Sequence, residues 1–226
     1  MKISVVIPTY NEEQYIGKCL ESLQKQTDPP DEIIVVDNNC TDKTAEIAKR
    51  MGARVISEKE QGMIPARNTG LNAAKYDIIA RIDADTIVPP DWIERIKYNF
   101  ENFKIDALSG PFYYYDGLIK FSFPSRIYFK TMKRILKNNE VLSGSNMMLT
   151  KKMWEIVKPL VNLEDKKVHE DIDLSINIIK VKGNIGYDGK LIAGISARRI
   201  KGNPKSFFIE YPKRVVSTLR TNKKSN

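Results

Sequence analysis

The chain has only two cysteines in 226 residues, Cys19 and Cys40, at no framework spacing. That excludes a disulfide-stapled scaffold and fits reduced thiols in a cytoplasmic setting. No run approaches the roughly 18 apolar residues that a membrane span needs. Residues 1–8 are too short, and too soon broken by Pro8, to act as a signal peptide. The expectation is a soluble chain, or one lying peripherally on the inner face of the cell membrane. Glycine is missing where phosphate loops need it. No Gly-x-Gly-x-x-Gly follows the first strand pattern, which counts against a dinucleotide oxidoreductase, and Pro8-Thr9-Tyr10-Asn11-Glu12 is neither glycine-rich nor basic, as a nucleotidyltransferase loop would be. Repeats and low-complexity linkers are also absent, so nothing divides the chain into separate domains.

What is present is a net charge of +9 with 42% hydrophobic residues, enough for a real core. The charge is uneven. From Arg198 onward nine basic residues face one acid, Glu210, and everything before is nearly neutral. The basic excess points either to an anionic contact at one end of the molecule or, for the last few residues, to a solvated frayed tail, and not to a nucleic-acid channel through the fold.

The hydrophobic pattern predicts strands at Ile3 to Ile7, Glu32 to Val36, Arg54 to Ser57 and Asp77 to Asp83, alternating with helices that start near Asn11, Thr41 or Asp42, Ile64 and Trp92. Strands alternating with helices imply βαβ units, and so an α/β fold with a mostly parallel central sheet covered by helices on both faces. Further on, Asp106 to Tyr115 reads as one strand, Asn146 to Thr150 as another, Lys151 to Val157 and Glu170 to Lys182 as helices, and Tyr187-Asp188-Gly189-Lys190 as a hairpin turn leading into a strand at Leu191 to Ala197. Lys120 to Lys137 is a basic amphipathic stretch without an acid. It either lies on an anionic membrane or lipid substrate, or docks on its own domain with its lysines in water.

The pattern is organised around Asp83-Ala84-Asp85. On an extended backbone residues i and i+2 share a face, so both carboxylates would look out of the sheet's carboxyl edge. Hard carboxylate oxygens suit Mg2+ or Mn2+, which bridge phosphates. Alone, a two-acid tripeptide is weak; its place at a strand-to-helix switch, where open α/β sheets bind ligands, strengthens it.

In order along the chain stand Val5-Val6-Ile7-Pro8-Thr9-Tyr10-Asn11-Glu12-Glu13, Val35-Val36-Asp37-Asn38-Asn39-Cys40-Thr41-Asp42, Ala66-Arg67-Asn68-Thr69-Gly70, Asp83-Ala84-Asp85 and His169-Glu170-Asp171-Ile172-Asp173. This combination resembles a family 2 glycosyltransferase with the Rossmann-like A-type glycosyltransferase fold. The resemblance implies one catalytic domain over residues 1–200, with a nucleotide-binding half at about 1–110 and an acceptor half at 111–200, followed by a basic tail or helix at 201–226. It implies an inverting, metal-dependent transfer of a single sugar, since the Gln-x-x-Arg-Trp signature of processive synthases is absent.

Residue by residue, the resemblance places Pro8, Thr9, Glu12, Asp37, Arg67 and Asp83 around the donor nucleotide, with Asp37 on the base and Asp83 on the ribose. Asn38 stands where many members have a second aspartate. Arg67 either pairs with diphosphate or holds the base edge. Asp85 is the implied ligand for Mn2+ or Mg2+. The family's late histidine ligand has no counterpart, because the only histidine is His169. Either Asp85, phosphates and water suffice, or Arg198 and Arg199 share the charge neutralisation. Asp171 is the implied catalytic base with Glu170 as its neighbour, and Gly144, Ser145, Asn146 and Arg198 are placed at the sugar and acceptor pocket. A UDP-sugar donor is favoured over a GDP-sugar, and a polyprenyl phosphate or lipid-linked glycan at an anionic membrane surface is the expected acceptor. The reading from another class is a non-catalytic membrane-binding or scaffolding relative.

Overall fold

A computed structural model describes residues 1–117, 121–164, 168–203, 205 and 209–223. Lys120 and Lys224, counted above among the basic residues, lie outside them. The first half runs β1 (Ile3–Thr9), α1 (Ile16–Gln24), β2 (Glu32–Asp37), α2 (Thr44–Arg50), β3 (Arg54–Ser57), α3 (Met63–Ala73), β4 (Ile78–Arg81) and α4 (Trp92–Asn102). There follow β5 (Ala107–Ser109), β6 (Phe112–Tyr114), α5 (Phe123–Ile135), β7 (Met147–Thr150), α6 (Lys151–Val157), α7 (Glu170–Lys180), β8 (Ile185–Tyr187), β9 (Ala193–Ile195), α8 (Arg198–Gly202) and α9 (Tyr211–Lys223).

Seven strands form one sheet in the order β3-β2-β1-β4-β7-β5-β8, in which only β7 runs against the rest. All seven residues of β1 are buried, which is why this strand reads as an unbroken apolar run rather than an alternation. Its alternate side chains serve two cores. Ile3, Val5 and Ile7 pack with Ile16 and Leu20 of α1 and with Trp92 and Ile96 of α4; Val6 packs with Leu71 of α3, Trp154 of α6 and Leu174 of α7. The expected mostly parallel sheet with helices on both faces is therefore present.

Three local expectations are corrected. The strand predicted over Asp106 to Tyr115 is broken at Gly110-Pro111: β5 belongs to the large sheet, whereas β6 pairs with β9 in a separate two-stranded sheet. Gly110 is buried so closely against Leu191 that a Cβ there would stand 2.0 Å from its carbonyl oxygen. Pro111 has no N–H to continue the ladder. Nor is there a hairpin at Tyr187 to Lys190, because β8 and β9 lie in different sheets, each in parallel pairing. The Asp188 carboxylate is pinned to α4 by Arg95 Nη2 at 2.6 Å and Asn99 Nδ2 at 2.9 Å, which turns the chain away from β8. Finally, β4 ends at Arg81, two residues early. Asp83 to Thr86 is a turn closed by Thr86 N–H on the Asp83 carbonyl at 3.0 Å, so the two acids do not share a face of a strand.

The basic stretch is helical as α5, with Phe129, Met132 and, just past its end, Leu136 packed with Ile172 of α7 and Leu219 of α9, while the buried Ser125 hydroxyl donates to the Phe112 carbonyl at 2.6 Å. The C-terminal α9 is likewise docked, not free. Its Thr218 hydroxyl accepts the His169 N–H at 2.7 Å. Because the clash at Gly110 is with backbone, Gly110→Ala is expected to destabilise the fold by about 1–3 kcal/mol, read as a lower urea midpoint at unchanged m-value.

Candidate active site at the carboxyl edge of the sheet

The loops after β1, β2 and β4 meet where parallel strands end. Two of them are laced together by side chains. Asn11 takes a positive φ of 54° and its Oδ1 accepts the Thr41 N–H at 2.8 Å, while the Glu12 N–H donates to Thr44 Oγ1 at 2.7 Å and the Glu13 N–H to Asp42 Oδ2 at 3.0 Å. This lacing delays α1 to Ile16 and aims the Glu12 carboxylate inward. Asp37 sits at the end of β2, half-buried, accepting the Cys40 N–H at 2.9 Å. Pro8 and Thr9 are inside β1, and the Thr9 hydroxyl donates to the Val36 carbonyl at 2.8 Å, so these two shape the edge through backbone.

Asn38 has a role that the sequence did not disclose. It is buried, and its amide donates to the Glu58 and Glu60 carbonyls at 3.0 and 2.6 Å while its oxygen accepts the Gly62 N–H at 2.9 Å. An aspartate has no hydrogens to donate to those carbonyls. The amide thus positions the turn that opens α3, and with it Arg67.

Arg81, the last residue of β4, is the centre of the site. Its side chain is 2% exposed, and its Nη2 lies 2.9 Å from Asp83 Oδ1 and 3.1 Å from Glu170 Oε1, with Nη1 4.0 Å from Asp171 Oδ1. The buried Arg67 adds a second cation, donating to the Glu170 carbonyl at 3.2 Å with its guanidinium 3.7 Å from Glu170 Oε2. No role had been assigned to Arg81. The signal was there: a charge inside the apolar run Ile78-Ile79-Ala80-Arg81-Ile82, which burial forces to find carboxylate partners.

Glu170 and Asp171 open α7, and the Gly144 N–H donates to Asp171 Oδ2 at 2.7 Å. Gly144 has to be glycine here, because a Cβ would fall 1.5 Å from Arg81 Nη1. Asp171 Oδ1 is buried without a hydrogen-bond partner. Burial raises the pKa of both Glu170 and Asp171, against the pull of Arg81. A carboxylate with one uncommitted oxygen and raised basicity is equipped to take a proton.

The second acidic group is gathered from three distant segments. The β6–β9 pair and the exchange of backbone bonds between Ile87 and Gly194, both 2.8 Å, bring Arg198 to the Asp83–Asp85 turn. Arg198 Nε donates to Asp85 Oδ2 at 3.0 Å and Nη2 to Glu12 Oε1 at 2.5 Å. Burial, then the neighbouring Asp83, push Asp85 up to about 6, with Arg198 opposing. Burial also raises Glu12. Among the described residues no group of three or more His, Cys, Asp or Glu is arranged as a ready metal cage. The Asp85 carboxylate and the buried, unpartnered Glu12 Oε2 are nevertheless the hard oxygens that Mn2+ or Mg2+ takes, so the residues fit such an ion with water and phosphate completing its shell.

In the segment expected to line the sugar pocket, Gly144 touches the site directly and Ser145 is buried with its hydroxyl 3.2 Å from that of Ser143. Asn146 turns away. Its side chain is wholly buried, accepting from Trp92 Nε1 at 3.0 Å and donating to the Leu191 carbonyl at 2.7 Å, so it supports the pocket from beneath. His169 stands edge-on to Tyr211 at 4.4 Å, away from Asp85's partners.

A mostly parallel sheet with acidic turns at its carboxyl edge defines an α/β protein whose candidate ligand edge lies at the strand ends. Residues 4–157 match the family described as Glycosyl transferase family 2, and the chain belongs to it. It is 31% identical over 170 residues to Glycosyltransferase AglE of Haloferax volcanii, spanning 71% of this chain and 56% of that one, and 27% identical over 198 residues to Glycosyltransferase GlyA of Streptococcus pneumoniae, spanning 84% and 27%. The chain therefore matches about half or less of these relatives' length. The fold is that of A-type glycosyltransferases. Mannosyltransferase PcManGT from Pyrobaculum calidifontis, solved with GDP-Man and Mn2+, superposes with TM-score 0.79 at 20% identity over 99% of this chain and 64% of that one. Glucosyl-3-phosphoglycerate synthase from Mycobacterium tuberculosis, solved with Mn2+, UDP and phosphoglyceric acid, gives 0.70 at 20% identity over 98% and 78%.

His169 Nδ1 is buried with no hydrogen-bond partner, and burial holds the imidazole down at about 4. An unfolded histidine takes its proton near 6.5, so the unfolded chain binds more protons below that pH and the folded state loses stability as pH falls from about 6.5 towards 4. His169→Phe removes this term. Between pH 7 and 5 the wild type is expected to lose stability relative to the variant, on the order of 1 kcal/mol, measured by denaturant melts at both pH values.

Proposed function

We propose that this chain is the catalytic domain of an inverting glycosyltransferase that moves one sugar from a nucleoside-diphosphate sugar to a hydroxyl or phosphate oxygen. The observation that carries the reading is the Asp171 carboxylate beside the acidic turn of Asp83 and Asp85: its Oδ2 accepts the Gly144 N–H, and its Oδ1, 4.0 Å from Arg81 Nη1, has no hydrogen-bond partner. Asp37 takes the nucleobase edge and Asp83 the ribose, with Arg67 and Glu170 holding the frame behind them. Asp85 would hold a divalent cation, which would supply Lewis-acid assistance to the departing diphosphate. Asp171 removes the proton from the acceptor hydroxyl as its oxygen forms the new bond to the anomeric carbon, and the carbon–oxygen bond to the diphosphate breaks from the opposite face. Glu170 and Arg81 fix the Asp171 carboxylate for that approach.

Solved structures of similar fold support the donor class: one holds GDP-Man and Mn2+, TarS of S. aureus holds UDP-GlcNAc, and another holds UDP with Mn2+. A UDP-sugar is favoured over a GDP-sugar, and Mn2+ or Mg2+ serves as the cofactor. Domain limits of 1–200 for catalysis and 201–226 for a basic C-terminal element remain part of this reading.

For the acceptor, a polyprenyl phosphate or lipid-linked glycan is favoured. A Haloferax volcanii relative named Dolichyl-phosphate hexose transferase is 35% identical over 108 residues. No helix among the described residues is long and apolar enough to cross a membrane. The outer face of α5 is suited to lying on one: Phe123, Ile127 and Ile135 are 62%, 50% and 47% exposed, among the outward Arg126, Lys130 and Arg134. Apolar side chains ringed by cations match an anionic bilayer surface.

Asp171→Asn is expected to lower transfer by at least about a thousandfold while nucleotide affinity, followed by thermal shift with a panel of UDP- and GDP-sugars and Mn2+, stays within a few-fold. Retained turnover would remove Asp171 from the base role. The double change Phe123→Asp, Ile127→Asp is expected to abolish sedimentation with phosphatidylglycerol vesicles and to leave nucleotide binding intact; a wild type that ignores such vesicles would end the membrane assignment.

A further inference from the structure

Arg198 is the only guanidinium among the described residues that bonds both Asp85 and Glu12, 113 and 186 positions away in the chain. Its placement is deliberate in physical terms. The Asp116 carboxylate accepts Ser196 Oγ at 2.7 Å and the Ala197 N–H at 2.6 Å, and Lys201 Nζ donates to the Asp116 carbonyl at 2.6 Å, which fixes the corner from which the side chain extends. The guanidinium carbon stacks 4.4 Å from the centre of the Tyr15 ring. Its planar fork therefore spans two carboxylates, one of which, Glu12, keeps a second oxygen buried and unpartnered.

Arg198 holds one oxygen, Oδ2, of the Asp85 carboxylate that a divalent cation would need. A guanidinium and a divalent ion on one carboxylate repel one another, so each weakens the other's hold. We propose that Arg198 is a resident counter-ion of this site: without donor it neutralises Asp85 and Glu12, and it yields Asp85 to the metal when it turns its fork to the diphosphate that arrives with the sugar. The inference rests on the donor-site reading above. The exchange conserves pairing at every stage. Asp85 trades a guanidinium for the metal, and the guanidinium trades one carboxylate for phosphate oxygens, which suit its bidentate geometry. Arg198 can make the exchange because it is a third exposed on the open side of the site, whereas Arg67 and Arg81 are locked in the interior. The consequence is a coupling: metal alone is resisted, and metal with nucleotide is accepted.

The test is a Mn2+ titration followed by electron paramagnetic resonance, with the wild type, Arg198→Gln, Arg198→Lys and Asp85→Asn, each with and without UDP or GDP. Arg198→Gln should bind Mn2+ alone about fivefold more tightly than the wild type, the factor expected on removing a partly exposed competing ion pair. It should also bind the Mn2+-free nucleotide more weakly. Arg198→Lys, which keeps one charge but cannot span both carboxylates, should fall between them, and it carries the same test if the glutamine variant does not fold. Asp85→Asn should lose Mn2+ binding, locating the signal. Metal-alone affinity that is unchanged or lower in both Arg198 variants, with Mn2+-nucleotide binding intact in the wild type, overturns the counter-ion role alone. Failure of every protein to bind UDP or GDP with Mn2+ overturns the donor-site reading, and this inference with it.

Discussion

A guanidinium buried at the end of β4 is the constraint around which this molecule is arranged. Taking Arg81 out of water costs several kcal/mol, recovered only where carboxylates and good geometry meet it. Asp83 on the following turn and Glu170 with Asp171 at the start of α7 meet it here, and Arg67 brings a second cation to the same cluster. The requirement couples the two halves of the chain, since β4 belongs to the parallel βαβ run and α7 to the later helices. It also dictates the small residue at Gly144, whose N–H reaches Asp171 only because no side chain stands between the backbone and the arginine.

The edge of the site is built differently, by short polar side chains acting on backbone. Asn11, Asp42 and Thr44 tie the loop after β1 to the loop after β2, and Asn38 ties the end of β2 to the turn before α3. Left-handed backbone at Asn11 and Asn39 falls on the residue type that tolerates it best after glycine. Loops held this way present Glu12 and Asp37 at fixed positions although neither belongs to a helix, which is what a preorganised ligand edge needs.

The basic character of the C-terminal region divides into two uses. Arg198 is spent inside the molecule on Glu12 and Asp85. On α9, Lys213 and Arg220 stay outward, beside the exposed Val216. Arg126, Lys130 and Arg134 of α5 are likewise outward, so these cations face water while Arg67 and Arg81 are held inside.

Much of this was legible in the sequence. Each of the first four strands is a short run with an apolar centre that meets a proline or an acid at its end or within two residues of it, and local punctuation sets such elements without help from distant residues. The acids at strand ends and at the start of α7 were readable for the same reason: their types, order and spacing carry the chemistry. The pairings were not readable. Arg81 announced that it needed partners but not which ones, and Arg198 was placed at the site without its partners, Glu12 and Asp85. The split between β5 and β6, and the turn after β8 that is no hairpin, follow from Leu191 pressing on Gly110 and from Asp188 reaching Arg95, contacts between residues some eighty or more positions apart. Local pattern determined which segments become strands and helices and which residues bear charge. Only folding decided which charges neutralise one another, because that depends on distances that exist once the chain has closed.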